Sequence, residues 1–391
     1  MSTRFTPRVA FYTVTTLMMA LSLASFVVAA RDEASANGSS AQQSGGKRWV
    51  TPRTPWGHPD LQGIWDTASG IPLERPKELG TKAVLSAAEI AAQRDQAERR
   101  RLELEKTNSD LHQSKADASK LTPTQLAGIV GPSVDFNPGL PDKRSASART
   151  SLIVDPPDGR IPPLTPEARQ RLERREAARS HRGEGDSWED RNSWERCITR
   201  TLPLAMLSTY NSNYQILQTP AFVAIVVEMI HEARIIPLDG RPRLGQRISQ
   251  WLGDSRGHWD GDTLVVETTN FVDKLDGGSV MPSHPNIVFT HRGPGDTLRL
   301  VERFTRVDEH TIDYQFTLDD PKTYTRPWTA SVPMRNDGTP AGIFEYACHE
   351  GNAAMEHMLK AARANEGAAL DAAHSESRER IEAGQPGVGL R

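Results

Sequence analysis

The chain has 391 residues, with 47 Lys and Arg against 50 Asp and Glu and a formal net charge of −3. A balance so close to zero leaves no basic footprint for a nucleic acid, which argues against that class of partner. Hydrophobic residues make up only 37% of the chain, which fits one compact core with polar extensions rather than several dense domains.

Arg4 and Arg8 precede an uncharged stretch from Val9 to Ala30, which leads to two small-residue sites, Val28-Ala-Ala30 at its end and Ala34-Ser-Ala36 beyond it. This pattern predicts a secretory signal peptide over 1–36 and a protein exported to the periplasm or beyond, with no membrane contact after cleavage. An uncleaved anchor is the competing reading, because about 20 apolar residues span a bilayer. Without the three basic and two acidic residues of 1–36, the balance is 44 against 48, a net charge of −4. Residues 37–50, of which 37–46 are Asn, Gly, Ser, Ala and Gln without periodicity, predict a flexible linker.

From 51 to 212 the chain reads as an N-terminal extension packed on the main domain. Its segment Thr54-Pro-Trp-Gly-His-Pro-Asp-Leu-Gln-Gly-Ile-Trp65 predicts turns followed by a first strand whose tryptophan plugs one end of a barrel. Ser86-Ala-Ala-Glu89 is a capping box, opening a charged helix from Ala87 to about Lys106. Residues 107–150, broken by glycine and proline, predict a long surface loop or a lid. Ser151–Asp155 predicts a short strand, and Thr165-Pro166 predicts the start of a second charged helix reaching about His181.

Residues 213–366 carry the alternation of an antiparallel β domain. Strands are expected at Asn213–Gln218, Phe222–Val227, Ala233–Pro237, Gln250–Leu252, Leu264–Glu267, Leu298–Val307, Thr311–Leu318, Trp328–Val332 and Ile343–Cys348. Gly261-Asp-Thr-Leu264 and Gly295-Asp-Thr-Leu298 are matching turns, and Asp308-Glu-His310 joins a hairpin. The expected fold class is mainly β: an antiparallel meander, barrel-like or strongly curved, with two charged helices in the extension and a short C-terminal helix. That last helix begins near Asn352 and carries Met355, Met358 and Leu359 on one stripe, with 367–391 as a loose tail.

The chain shows no Gly-x-Ser-x-Gly elbow, His-Glu-x-x-His, phosphate loop or dinucleotide glycine fingerprint, and no metal or cofactor is expected. Three clusters could carry chemistry. If Phe222–Val227 keeps period two, Glu228 shares an inward face with Phe222, Ala224 and Val226. There it would be paired with Arg234, or act as a general base with His231. Glu302 lies on the Leu298, Leu300 and Phe304 face, an inward carboxylate that needs an arginine, a histidine or a ligand. Glu345-Tyr-Ala-Cys-His-Glu350 places Tyr346, Cys348 and His349 at a strand end. Trp251, Trp259, Trp328, Tyr314 and Tyr346 offer rigid faces, as core plugs or as the lining of a cavity. Cys197 and Cys348 are the two cysteines, a disulfide or two buried thiols.

Thr54–Trp65, Glu228-Met-Ile-His-Glu-Ala-Arg-Ile-Ile-Pro-Leu-Asp-Gly240, Trp251-Leu-Gly-Asp-Ser-Arg-Gly-His-Trp-Asp-Gly-Asp-Thr-Leu264 and Tyr346-Ala-Cys-His-Glu-Gly-Asn352 together resemble a large family of secreted bacterial proteins over residues 51–360. That resemblance carries no reaction with it. Gly63-Ile-Trp65 ahead of a meander is also similar to the start of lipocalin-like barrels, although the helical insertions leave barrel closure open.

These readings converge on an exported protein that binds a small, partly apolar molecule in a barrel-like cavity, of unassigned oligomeric state. The alternatives are an enzyme using a Glu/His pair in the same cavity, with Glu228, His231, Glu302 and His349 as candidates, or an envelope scaffold. Arg234, Tyr314, Tyr346 and Trp328 are the expected ligand contacts.

Overall fold

The protein was analysed as a computed structural model that describes residues 49–69, 71–96, 98–99, 102, 148–180, 193, 196–199, 202–203, 212–273, 297–336, 342–350 and 353–382. The signal-peptide reading, most of the linker, nearly all of the 107–150 loop and the Gly295-Asp296 turn lie outside the described residues.

Ten strands form one antiparallel sheet: β1 (Gly63–Asp66), β2 (Ile153–Asp155), β3 (Asn213–Gln218), β4 (Phe222–Val227), β5 (Ala233–Pro237), β6 (Asp254–Asp260), β7 (Thr263–Thr269), β8 (Arg299–Arg306), β9 (Thr311–Asp319) and β10 (Trp328–Arg335). Their order is β5-β4-β3-β1-β10-β9-β8-β7-β6, with β2 beside β10. The sheet curls without closing into a barrel. Its edge strands β5 and β6 meet through side chains, and no ladder joins them among the described residues.

Period-two alternation builds the core in rows. One row runs Ser255, Thr268, Leu300, Leu318, Trp328, and the next runs Gly257, Val266, Glu302, Phe316, Ala330. A third is Trp259, Leu264, Phe304, Tyr314, Val332. Ile216, Ile225 and Arg234 form a row on the other half of the curl. Within β9, Ile312, Tyr314, Phe316 and Leu318 are buried while the residues between them are half-exposed, the alternation of a sheet with one wet face.

Two glycines are required by this geometry. Gly257 in β6 faces β5, and a Cβ there would lie 2.8 Å from both Ile236 Cγ2 and Leu238 Cδ2, so only hydrogen lets the edges approach this closely. Gly63 opens β1 at φ +133°, a region that side chains rarely adopt.

One end of the curl is plugged. Trp65 is fully buried, its Nε1 donates to the Leu61 carbonyl at 2.9 Å, and the Arg306 guanidinium lies 5.4 Å from its ring centre. Gln218 locks the plug by donating to the Pro59 carbonyl at 3.0 Å and accepting from Leu61 N at 2.7 Å. The Gly63-Ile-Trp65 triplet therefore plugs the interior, as its sequence implied.

The described residues include three α-helices: α1, helical from 87, α2 (Pro166–Ser180) and α3 (Ala354–Glu382). The capping box at Ser86 forms as read, with Ser86 N and Oγ donating to Glu89 Oε2 at 2.9 and 2.7 Å. Thr165 Oγ1 caps α2 by accepting from Ala168 N at 3.1 Å.

Four expectations need correction. Gln250–Leu252 is not a strand; Gln250 makes a single bridge to Phe271, and β6 takes Asp254–Asp260, so that His258–Asp260, whose glycine- and aspartate-rich surroundings read as a tight turn over His258–Asp262, belong to a strand. Ile343–Cys348 is irregular, because Phe344 N donates to the Glu228 carboxylate rather than to a ladder partner. In β4 the buried residues are Val223, Ile225 and Val227, so the inward face is the opposite of the one expected. The strand is apolar on both faces, so composition could not fix its phase. Finally, α3 runs to Glu382, through residues read as a loose tail; Ala and Glu sustain a helix that need not pack along its length.

Candidate functional site

The end opposite the plug collects most of the residues singled out in the sequence. Glu302 in β8 is wholly buried and Arg234 in β5 is 3% exposed. Arg234 reaches across the seam between the edge strands: its Nη2 donates to Glu302 Oε2 and to Thr268 Oγ1, both at 2.6 Å, and its Nε donates to Ser255 Oγ at 2.9 Å. Tyr314, also fully buried, donates from its hydroxyl to Glu302 Oε1 at 2.8 Å. Ser255 and Thr268 share a hydrogen bond at 3.0 Å. The inward carboxylate thus has the arginine its position called for, supplied across the seam and not by an adjacent strand.

One donor in this network is left over. Arg234 Nη1 is enclosed by protein and finds no hydrogen-bond partner among the described residues. An enclosed donor without an acceptor costs about 1–3 kcal/mol, so the group asks for an explanation. Around it the interior is apolar: Ile225 is the ladder neighbour of Arg234, Val266 of Glu302 and Leu300 of Thr268, and all three are buried.

Glu228 is elsewhere at this end and is not paired with Arg234, contrary to expectation. The strand stops at Val227 and the backbone turns helical at Glu228 (φ −60°, ψ −45°), which swings its side chain inward. Its Oε2 accepts from Asn213 Nδ2 at 2.7 Å and its Oε1 from Phe344 N at 3.1 Å. The carboxylate ties the start of β3 to the returning 342–350 segment. His231 closes the short turn Met229–His231, and its side chain lies outside what is described.

The same segment carries the disulfide. Cys197 and Cys348 are bridged with their Cα atoms 5.8 Å apart, across 151 residues of sequence. His349 next to it is exposed, and Tyr346 packs half-buried against the core. Trp251, Leu252 and Val272 pack on the core in the same half-buried way, beside the Gln250–Phe271 bridge. Trp328 is buried edge-on to Phe316 and Tyr324, with ring centres 5.8 and 6.1 Å away, and belongs to the core.

Backbone strain gathers here too. The described non-glycine residues with positive φ are Cys197 at 54°, Ile230 at 63° and Asn270 at 60°. Each lies at this end, and for a β-branched residue such as Ile230 the conformation is a real outlier. Asn270 uses its position well, donating from Nδ2 to the carbonyls of Gly245 and Ile248, both at 3.1 Å, and so holding the long β5–β6 connection over the strand end.

Sequence reasoning missed Ser255, Thr268 and Asn213. Thr268 could have been found by carrying the Leu264, Val266 phase two residues further. Ser255 could not, because β6 was misplaced. The oxidising chemistry of the disulfide points to a compartment outside the cytoplasm. No described helix is long and apolar enough to cross a membrane. Compared with protein-family models, curated proteins and solved structures, the chain finds no match.

Proposed function

We propose that this is a periplasmic or secreted protein that binds a small, partly apolar molecule at the end of the curled sheet opposite Trp65, with Arg234 as its polar anchor. The observation that carries the reading is the enclosed Nη1 of Arg234, a pair of N–H donors without an acceptor among the described residues, inside an apolar interior. Pockets that bind small molecules combine apolar walls with a few placed polar groups, and this end of the sheet has that composition. Half-buried Trp251 and Tyr346 supply rigid aromatic surface at its margin. The disulfide and the signal-like leader support export.

The acid–base alternative draws less support from the geometry. Glu228 is held by Asn213 and Phe344, and Glu302 by Arg234 and Tyr314. Each carboxylate is thus engaged by a structural partner, and the side chain of His231 lies outside the described residues.

Native mass spectrometry of the protein purified from the periplasm of its own cells tests the reading. The expected result is a mass increment of a few hundred daltons that is lost in an Arg234→Met variant. A bare polypeptide mass, together with no thermal shift in a screen of apolar carbonyl, hydroxyl and hydrocarbon compounds, would refute it.

A further inference from the structure

The Arg234 guanidinium has five N–H donors fixed in one plane. Three are committed: Nε to Ser255 Oγ at 2.9 Å, and the two on Nη2 to Thr268 Oγ1 and Glu302 Oε2, each at 2.6 Å. The two on Nη1 are enclosed and lack a partner among the described residues. This division constrains what the residue can recognise. A carboxylate or phosphate docks on arginine through two parallel N–H bonds, taken from Nη1 with Nη2 or from Nε with Nη2. Both forks include Nη2, whose donors are spent.

Charge gives the same answer. Glu302 already neutralises Arg234 at 2.6 Å with both side chains out of solvent. A second anion would enter an apolar interior without a counter-charge, and a cation would be repelled by the guanidinium. What remains is an uncharged acceptor able to use one nitrogen.

Resting on the binding reading above, we propose that the ligand is a neutral carbonyl compound, a ketone, quinone or ester. Its oxygen accepts from Arg234 Nη1 while its apolar body lies against Trp251, Leu252 and Tyr346. Serine and threonine hydroxyls hold the guanidinium in one orientation, so recognition is by a fixed dipole instead of net charge. A flat skeleton suits the two half-buried rings.

Calorimetric titration of the disulfide-bonded protein with three matched probes tests this: 2-acetylnaphthalene, 2-isopropenylnaphthalene, in which a methylene replaces the carbonyl oxygen, and 2-naphthoate. The ketone should bind at least tenfold more tightly than either of the others. Equal affinity for ketone and alkene, or tightest binding of the carboxylate, overturns the carbonyl assignment and leaves small-molecule binding standing. No binding by any of the three removes the binding reading with it. In Glu302→Gln the arginine loses its counter-charge, and naphthoate should gain at least tenfold relative to the ketone. An unchanged order in a folded Glu302→Gln protein overturns the neutralisation argument, and if that variant does not fold, the order in the unaltered protein still decides.

Discussion

Breaking the ion pair that crosses the seam should cost far more than replacing it. In Glu302→Gln the side-chain shape is kept and Tyr314 still has an oxygen to meet, but Arg234, 3% exposed, is left charged with no counter-ion. Removing one member of a buried pair costs about 3–5 kcal/mol. The triple variant Arg234→Met, Glu302→Leu, Tyr314→Phe removes every group that depended on another, while Ser255 and Thr268 retain their mutual bond at 3.0 Å. Exchanging a whole buried polar set for apolar groups of similar shape is close to neutral, so the triple should lie within about 1–2 kcal/mol of the unaltered protein. Urea unfolding followed by tryptophan fluorescence, with the disulfide intact, reads this directly. With a slope of about 3 kcal/mol/M, expected at the upper end for a chain of this size, the single variant should shift the midpoint by roughly 1 M or more. Two results would refute the reasoning. A single-variant cost under about 1 kcal/mol would mean the pair is hydrated, and a triple variant as unstable as the single would mean that packing across the seam, not charge, dominates.

Three further outcomes follow from the same geometry. Reducing the Cys197–Cys348 bridge frees a 151-residue loop, which on the chain-entropy model removes up to about 5 kcal/mol, and the urea midpoint should fall accordingly on adding reductant. Gly257→Ala drives a methyl onto Ile236 and Leu238 at 2.8 Å and should destabilise by about 1–3 kcal/mol, with partial rescue by Ile236→Val in the double variant. The Glu89 carboxyl is held down to about 2 by its bond from Lys82 and the Ser86 cap, so a carbon-detected NMR titration should place its midpoint there and Lys82→Met should raise it. Because the folded value is lowered, whatever that carboxylate adds to α1 is present above about pH 4.5 and lost as the pH falls toward 2.

Much of the fold was legible because the relevant signals are local. The β8–β9 hairpin alternates cleanly around Asp308-Glu-His310, and its strands fall where the pattern put them. The capping box and the Thr165 cap involve residues three apart, and both form. Period two on β8 also put Glu302 inside. The failures have a common physical origin in tertiary override. β4 is apolar on both faces, so its phase was undetermined, and the wrong phase led to Glu228 being paired with Arg234. Gln250-Trp-Leu252 reads as a strand but is a margin of the core, while Asp254–Asp260, with its serine, arginine, glycine and histidine, lacks a strand signal and is an edge strand. Its identity depends on Ser255 and Gly257 meeting β5 across the seam, a contact that no sequence window contains.

The two ends of the curl are held by different groups, and that bears on where a ligand would go. At the Trp65 end Gln218 donates and accepts once each with the plug and the indole of Trp65 has its carbonyl, although Trp259 Nε1 is enclosed without a partner among the described residues. At the Arg234 end the accounting is incomplete, with an enclosed guanidinium nitrogen unsatisfied and left-handed conformations imposed on an isoleucine, a cysteine and an asparagine. A chain selected for stability alone could replace the arginine, the glutamate and the tyrosine with apolar residues, as the triple variant would show. Retaining a charged pair where apolar packing would serve has a cost in stability, and the free face of Arg234 is the part of that pair that holding the seam does not require. A protein that loses its carbonyl selectivity in the triple variant while keeping its stability would separate the two roles of this cluster.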